Sequence, residues 1–125
     1  MKYLYIGIGG IIGAGMRFAI IMVIGQFWQS AFPVDILIIN VFGAFVLGYL
    51  STITLPIDPK LKQAITVGVI GSFTTLSTVS ADTVLLVESG YFIQGFIYIF
   101  CNIALGLVMV YLGMVLGNRK EVRGA

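Results

Sequence analysis

The side chains able to do chemistry stand in unusual company. Arg17, Asn40, Asp82, Tyr98 and Asn102 each interrupt a long apolar stretch, and the run Ser72-Phe73-Thr74-Thr75-Leu76-Ser77-Thr78-Val79-Ser80 carries a hydroxyl at most positions. In hydrocarbon a polar group is expensive unless it has a partner or lines a path. Amide and hydroxyl donors suit holding an ion. The chain has no His, one Cys (Cys101), no metal-ligand cluster and no plausible carboxylate pair. No phosphate-cradling glycine loop follows a strand, so no enzyme pattern emerges. Nothing suggests nucleic-acid binding. Cys101, alone in an apolar run, makes no intramolecular disulfide and reads as a small buried hydrophobe.

The third-stretch cluster is the most informative. Gly68 and Gly71 precede it, and glycine weakens a helix. Hydroxyls at the following positions can bond freed backbone groups. A helix broken near the bilayer midplane is tolerated only where protein buries it or it lines water, and such a break presents amides and carbonyls to ions. The same run also reads as a hydroxyl-rich face gluing neighbouring helices. Arg17 reads either as a snorkelling or Asp82-paired structural cation or as a functional one; Asp82 reads equally as a carboxylate near a helix end. Tyr98 and Asn102, four apart, share one helical face.

The elements that position these residues follow from hydropathy. The chain is 59% hydrophobic and 10% charged, with mean hydropathy +1.09, against roughly 25% charged residues in soluble domains. A soluble fold of 125 residues could not hide so much apolar surface, so lipid is the expected solvent. A hydrocarbon core about 30 Å thick needs roughly 20 helical residues. Four stretches qualify, at about 3–27, 36–55, 61–87 and 91–116. Between them lie Phe32-Pro33-Val34-Asp35, Pro56-Ile57-Asp58-Pro59-Lys60 and Glu88-Ser89-Gly90, with breaker or polar signals. The expectation is an all-α membrane protein, one domain over residues 1–125, with four transmembrane helices and the third broken near its middle. The start of the chain could pass for a signal peptide, but the apolar run is too long and lacks a clear cleavage site.

Four spans put both termini and the middle loop on one side. That side carries Lys2, Lys60, Lys62, Arg119, Lys120 and Arg123, and the other two loops carry no Lys or Arg. The positive-inside rule then predicts cytoplasmic termini. Three small-xxx-small pairs, Gly9/Gly13, Ala44/Gly48 and Gly113/Gly117, predict close helix approach.

These motifs resemble the Fluc/CrcB fluoride channels along essentially the whole chain. Gly10-Ile-Ile-Gly13-Ala-Gly-Met-Arg17 is similar to that family's GxxGxxxR. Asn40-Val-Phe-Gly43, followed by Gly48, is similar to its N-x-x-G-x-x-x-x-G. Gly68-Val-Ile-Gly71-Ser-Phe-Thr74-Thr75-Leu76-Ser77-Thr78-Val79-Ser80-Ala-Asp82 looks like its GxxGxxTTFSTFSxE, and Tyr98 stands where the family has its pore tyrosine. The resemblance implies an antiparallel dimer of four-helix subunits in the bacterial inner membrane, with two narrow fluoride pores and a central sodium ion. It implies that Arg17 and Asp82, the last residue of the third-span motif, sit at an aqueous vestibule. It also implies that Asn40 offers amide N–H groups to fluoride and that Thr75, Ser77 and Thr78 belong to a polar track at the broken helix. Backbone oxygens of Gly71 and Thr74 would hold sodium with their dimer mates, and Tyr98 would line the pore. A dry pore must replace the water around a small, strongly hydrated anion with N–H and O–H donors.

The chain departs from the pattern at four positions. Leu76 and Val79 replace the family's two phenylalanines, whose electropositive ring edges can face an anion. Asn102 replaces a pore serine, and Asp82 replaces a glutamate. The charge bias also fixes one orientation, whereas an antiparallel pair needs the opposite one as well. Both features point to one half of a heterodimeric channel with a homologous partner. The alternatives are an ordinary homodimer and a non-conducting subunit. A small four-helix antiporter needs an embedded carboxylate in its first helix, where this chain has Arg17 and no acid.

Overall fold

The computed structural model describes residues 2–30 and 32–124 of the chain. The elements are α1 (Lys2–Phe27), α2 (Val34–Thr52), α3 (Pro59–Gln63), a π-helical segment (Ala64–Ile70), α4 (Gly71–Phe73), α5 (Ser77–Glu88) and α6 (Phe92–Gly124). From Pro59 to Glu88 they form one span interrupted at residues 74–76. Four helices are thus long and apolar enough to cross a membrane, as expected.

Their ends differ from the sequence expectation for local reasons. The second span stops at Thr52 because Ile53 turns extended, at ψ 149°. The third begins at Pro59, where proline's missing N–H costs nothing and the Asp58 carboxylate caps the Lys60 N–H at 2.8 Å. The fourth continues past residue 116 to Gly124. At about 1.5 Å per residue it is roughly 50 Å long, well beyond a hydrocarbon core of about 30 Å. Its polar tip is held where the Glu121 carboxylate accepts the Thr54 N–H. Gly90, at φ 89°, makes the tight turn between α5 and α6.

Glycine sets the helix spacing. α1 lies along the π segment, and α2 lies along α6. A methyl group at Gly13 would run into the Val69 carbonyl, and one at Gly9 into Ala64. On the other pair, a methyl at Gly48 would meet Val110 and one at Gly113 would meet Phe45. These backbones approach as small-xxx-small pairs allow. Gly25 faces open space. We therefore expect Gly13→Val to destabilise the protein by about 1–3 kcal/mol, as overpacking does, and Gly25→Ala to be silent. Thermal unfolding in detergent measures both.

The buried core is small and off-centre. Ile36, Ile39, Phe73, Val79, Leu86 and Tyr98 form one cluster, gathered around the interruption and its neighbours. Most other large apolar side chains face outward, such as Ile11 at 74% and Phe96 at 73% exposure. That distribution suits lipid rather than water as the surrounding medium.

Candidate functional site

The interruption in the third span is built by Asn40 from the second. Thr74 leaves the helix with ψ 157°, and the helical ladder loses its next donors. The Thr75 N–H donates to Asn40 Oδ1 at 2.8 Å instead of to Gly71, and the Thr75 carbonyl accepts from Asn40 Nδ2 at 2.9 Å. An N–H can only donate, so the Thr75 amide fixes which end of the Asn40 side chain is oxygen. Gly43, one turn along the same face, leaves the room that Thr74 fills: a methyl group there would strike Thr74 Cγ2.

The second half of the span restarts on Thr75. Its Oγ1 accepts the Thr78 N–H at 3.1 Å, as an N-cap does. The same oxygen lies 3.1 Å from Thr78 Oγ1 and 3.2 Å from Ser77 Oγ. Ser80 Oγ closes the turn on the Leu76 carbonyl at 3.1 Å. The expected hydroxyl support of the break is therefore present. Its position is not that of the glycines: the chain stays helical through Gly68 and Gly71, and opens only at residues 74–76.

From Asn40 the polar contacts continue across α6. Asn40 Nδ2 also donates to Asn102 Oδ1 at 2.9 Å, and Asn102 Nδ2 donates to the Tyr98 carbonyl at 2.9 Å. The Tyr98 hydroxyl donates to Asp82 Oδ2 at 3.0 Å. Thr75, Asn40, Asn102 and the Tyr98 carbonyl thus form one hydrogen-bonded track over three spans, and the Tyr98 hydroxyl, at the far end of its side chain, makes a separate contact with Asp82. Asp82 takes this bond from Tyr98 rather than from Arg17. Arg17 stands on α1, half-buried and outside the track.

The two positions expected to supply ring edges part company. Leu76 is 73% exposed, whereas Val79 is 1% exposed within the buried cluster, although both border the cavity beside the break. Tyr98 is completely buried. Phe32, in the segment connecting the first two spans, stacks edge-on against the Tyr98 ring at 5.5 Å and 82°. Its signal was an aromatic directly before Pro33. Phe73 likewise meets Phe42 edge-on at 6.2 Å.

A cavity of about 290 Å³ lies against the break, lined by Asn40, Thr74, Thr75, Leu76, Asn102 and apolar residues including Val79. Polar groups from α2, the break and α6 meet there in an otherwise apolar lining. That arrangement suits desolvating a small ion next to fixed hydrogen-bond groups. The break frees acceptors as well. Thr75 N–H is diverted to Asn40 and Thr78 N–H to Thr75 Oγ1, so the Gly71 and Thr74 carbonyls lack their helical donors. Gly71 is exposed, with open space where a side chain would stand. Free carbonyl oxygens at a protein surface are ligands of the kind a hard cation takes. Among the described residues no group of three His, Cys, Asp or Glu side chains comes together, and a backbone site needs none.

Comparison with known proteins agrees with this architecture. A fluoride-specific ion channel FluC of Shewanella woodyi is 37% identical over 115 residues, 90% of this chain and 93% of that protein. FluC 1 of Bacillus anthracis is 39% identical over 119 residues, 93% of this chain and 87% of that protein. FluC 1 of Bacillus thuringiensis subsp. konkukian is 40% identical over 121 residues, again 93% and 87%. Residues 4–114, from the first span to deep in the fourth, match the family described as CrcB-like protein, Camphor Resistance (CrcB), and with its broken third span and asparagine-held track this chain belongs to that family.

Proposed function

We propose that this chain is a subunit of a fluoride-selective channel, passing the anion passively and so relieving fluoride toxicity. One observation carries the reading: a hydrogen-bonded set of amide and hydroxyl groups, Thr75, Asn40 and Asn102, stands beside a broken membrane helix and lines a small hollow. The names of the relatives, fluoride-specific ion channels, support it. Fluoride is a compact, strong acceptor, and charge-assisted hydrogen bonds to fixed N–H and O–H groups are among the stronger ones. Chloride is larger and gains less from the same close donors. Arg17 would raise the local anion concentration at a vestibule.

The finer reading has the subunit working in an antiparallel dimer with two pores, in the bacterial inner membrane, with both termini cytoplasmic. The exposed Leu76 and Gly71 are then covered by the mate. The carbonyls of Gly71 and Thr74, freed of helical donors, fit a sodium ion shared with that mate. Sodium bound there would add a fixed positive charge and tie the two breaks together. A second reading makes this chain the specialised half of a heterodimer, favoured by Leu76 and Val79 lacking ring edges and by a one-sided cation bias.

The function is tested by fluoride efflux from proteoliposomes. Fluoride should leave while chloride stays. Equal leakage of both anions would remove the selective-channel reading.

A further inference from the structure

Asn40 is fully engaged inside the subunit. One Nδ2 hydrogen goes to the Thr75 carbonyl, the other to Asn102 Oδ1, and Oδ1 takes the Thr75 N–H. The bonds to Thr75 shape the backbone break and are not free to exchange. The bond to Asn102 joins two side chains that both line the cavity. The position an anion would occupy as acceptor from Asn40 is therefore filled by an oxygen of this chain. Asn102 is held there by its own second bond, from Nδ2 to the Tyr98 carbonyl one turn back.

We propose that Asn102 is a positioning residue that latches Asn40: its carbonyl oxygen stands in for the anion, and permeation requires the Asn102 side chain to give up that bond. This rests on the reading of the chain as a fluoride-channel subunit. An anion is a stronger acceptor than a neutral amide oxygen, so it can displace the latch, but it does so against a bond already made. The geometry explains why residue 102 matters more than its place in an apolar helix suggests. A serine there is too short to span from α6 to the Asn40 amide by the same route. An aspartate keeps an acceptor for the Asn40 amide and repels the anion, although it gives up the bond to the Tyr98 carbonyl.

Two measurements test this on the full assembly. The first needs no anion. The chain has three asparagines, Asn40, Asn102 and Asn118, so selective ¹⁵N-asparagine labelling gives few side-chain signals, with exposed Asn118 as internal reference. In Asn102→Ser one Asn40 Nδ2 proton should exchange with solvent faster while the other stays protected by Thr75. Unchanged exchange of both protons would overturn the latch, whatever the channel carries. The second is sodium fluoride titration with efflux. In Asn102→Ser the Asn40 signal should move at lower fluoride than in the unmodified protein, and efflux should rise roughly two- to tenfold, the effect of removing one competing neutral hydrogen bond. In Asn102→Asp efflux should fall below that of the unmodified protein. Efflux that falls in Asn102→Ser would overturn the latch and make Asn102 itself a donor, with the fluoride reading intact. Faster Asn40 exchange without any fluoride response in either protein would keep the contact as a structural bond and overturn both its role as a latch and the fluoride reading.

Discussion

Asn40→Ala and Asn40→Asp should each cost the channel both stability and conduction. Alanine removes all three bonds that Asn40 makes to Thr75 and Asn102. It leaves the Thr75 N–H and carbonyl without partners beside an apolar hollow. Unsatisfied buried backbone groups cost about 1–3 kcal/mol each, so the loss should be about 2–4 kcal/mol, with the half-buried setting keeping it from the upper extreme. Aspartate keeps the oxygen that accepts the Thr75 N–H, so the break retains its first anchor. It has no N–H to offer an anion and adds a repelling charge. Its second oxygen faces the Thr75 carbonyl and Asn102 Oδ1 where the two N–H bonds were. We expect Asn40→Asp to be at least as destabilised as Asn40→Ala, and to pass fluoride about 10- to 100-fold more slowly, the weight of one charge-assisted hydrogen bond. Thermal unfolding beside efflux measures both. Full efflux through a stable Asn40→Asp protein would reduce Asn40 to a packing residue.

The second large effect concerns pairing. This chain reconstituted alone should pass little fluoride, and co-expression with a homologous chain of opposite Lys/Arg bias should restore flux. A reporter at the C-terminus should then read cytoplasm only. The two candidate ring positions are not equivalent. Leu76 is 73% exposed and has room for a larger ring, whereas Val79 is 1% exposed among Ile36, Ile39 and Tyr98. Leu76→Phe should be tolerated, and Val79→Phe should destabilise by about 1–3 kcal/mol through overpacking. If missing ring edges are the main obstacle, Leu76→Phe alone should raise the single chain's flux. If orientation is the obstacle, it should not. Robust flux from the unmodified single chain would sink the heterodimer reading and leave the channel intact.

Much of this was legible in the residues. Four spans followed from hydropathy, because lipid demands long apolar helices whatever their packing. The glycine pairs were readable because backbone approach tolerates only small residues, and Gly9, Gly13, Gly48 and Gly113 all stand at such approaches. The break was readable as a region, from hydroxyls crowded behind two glycines. Its exact place was not, since Asn40, a residue 35 positions from Thr75, decides it; a long-range hydrogen bond leaves no local pattern. The π-helical turn at Ala64–Ile70 gave no specific signal either: its β-branched residues and Gly68 weaken an α-helix without marking which other geometry the segment takes against α1. The extension of the fourth span to Gly124 was missed because hydropathy ends where the membrane does, while a helix need not. Among the candidate residues, Thr75, Asn40, Asn102, Tyr98 and Asp82 come together, Ser77 and Thr78 flank them, and Leu76, Val79 and Arg17 do not join the track.

The central claim is that the assembly holding this chain selects fluoride over chloride. It is tested most directly by capturing the chain through a tag from the membranes of its own host, so that any natural mate comes with it, and reconstituting the product into liposomes. Electrodes then follow both anions after a potassium ionophore is added. The account predicts rapid loss of fluoride with chloride retained. Liposomes that keep both anions, or lose both at the same rate, would contradict it.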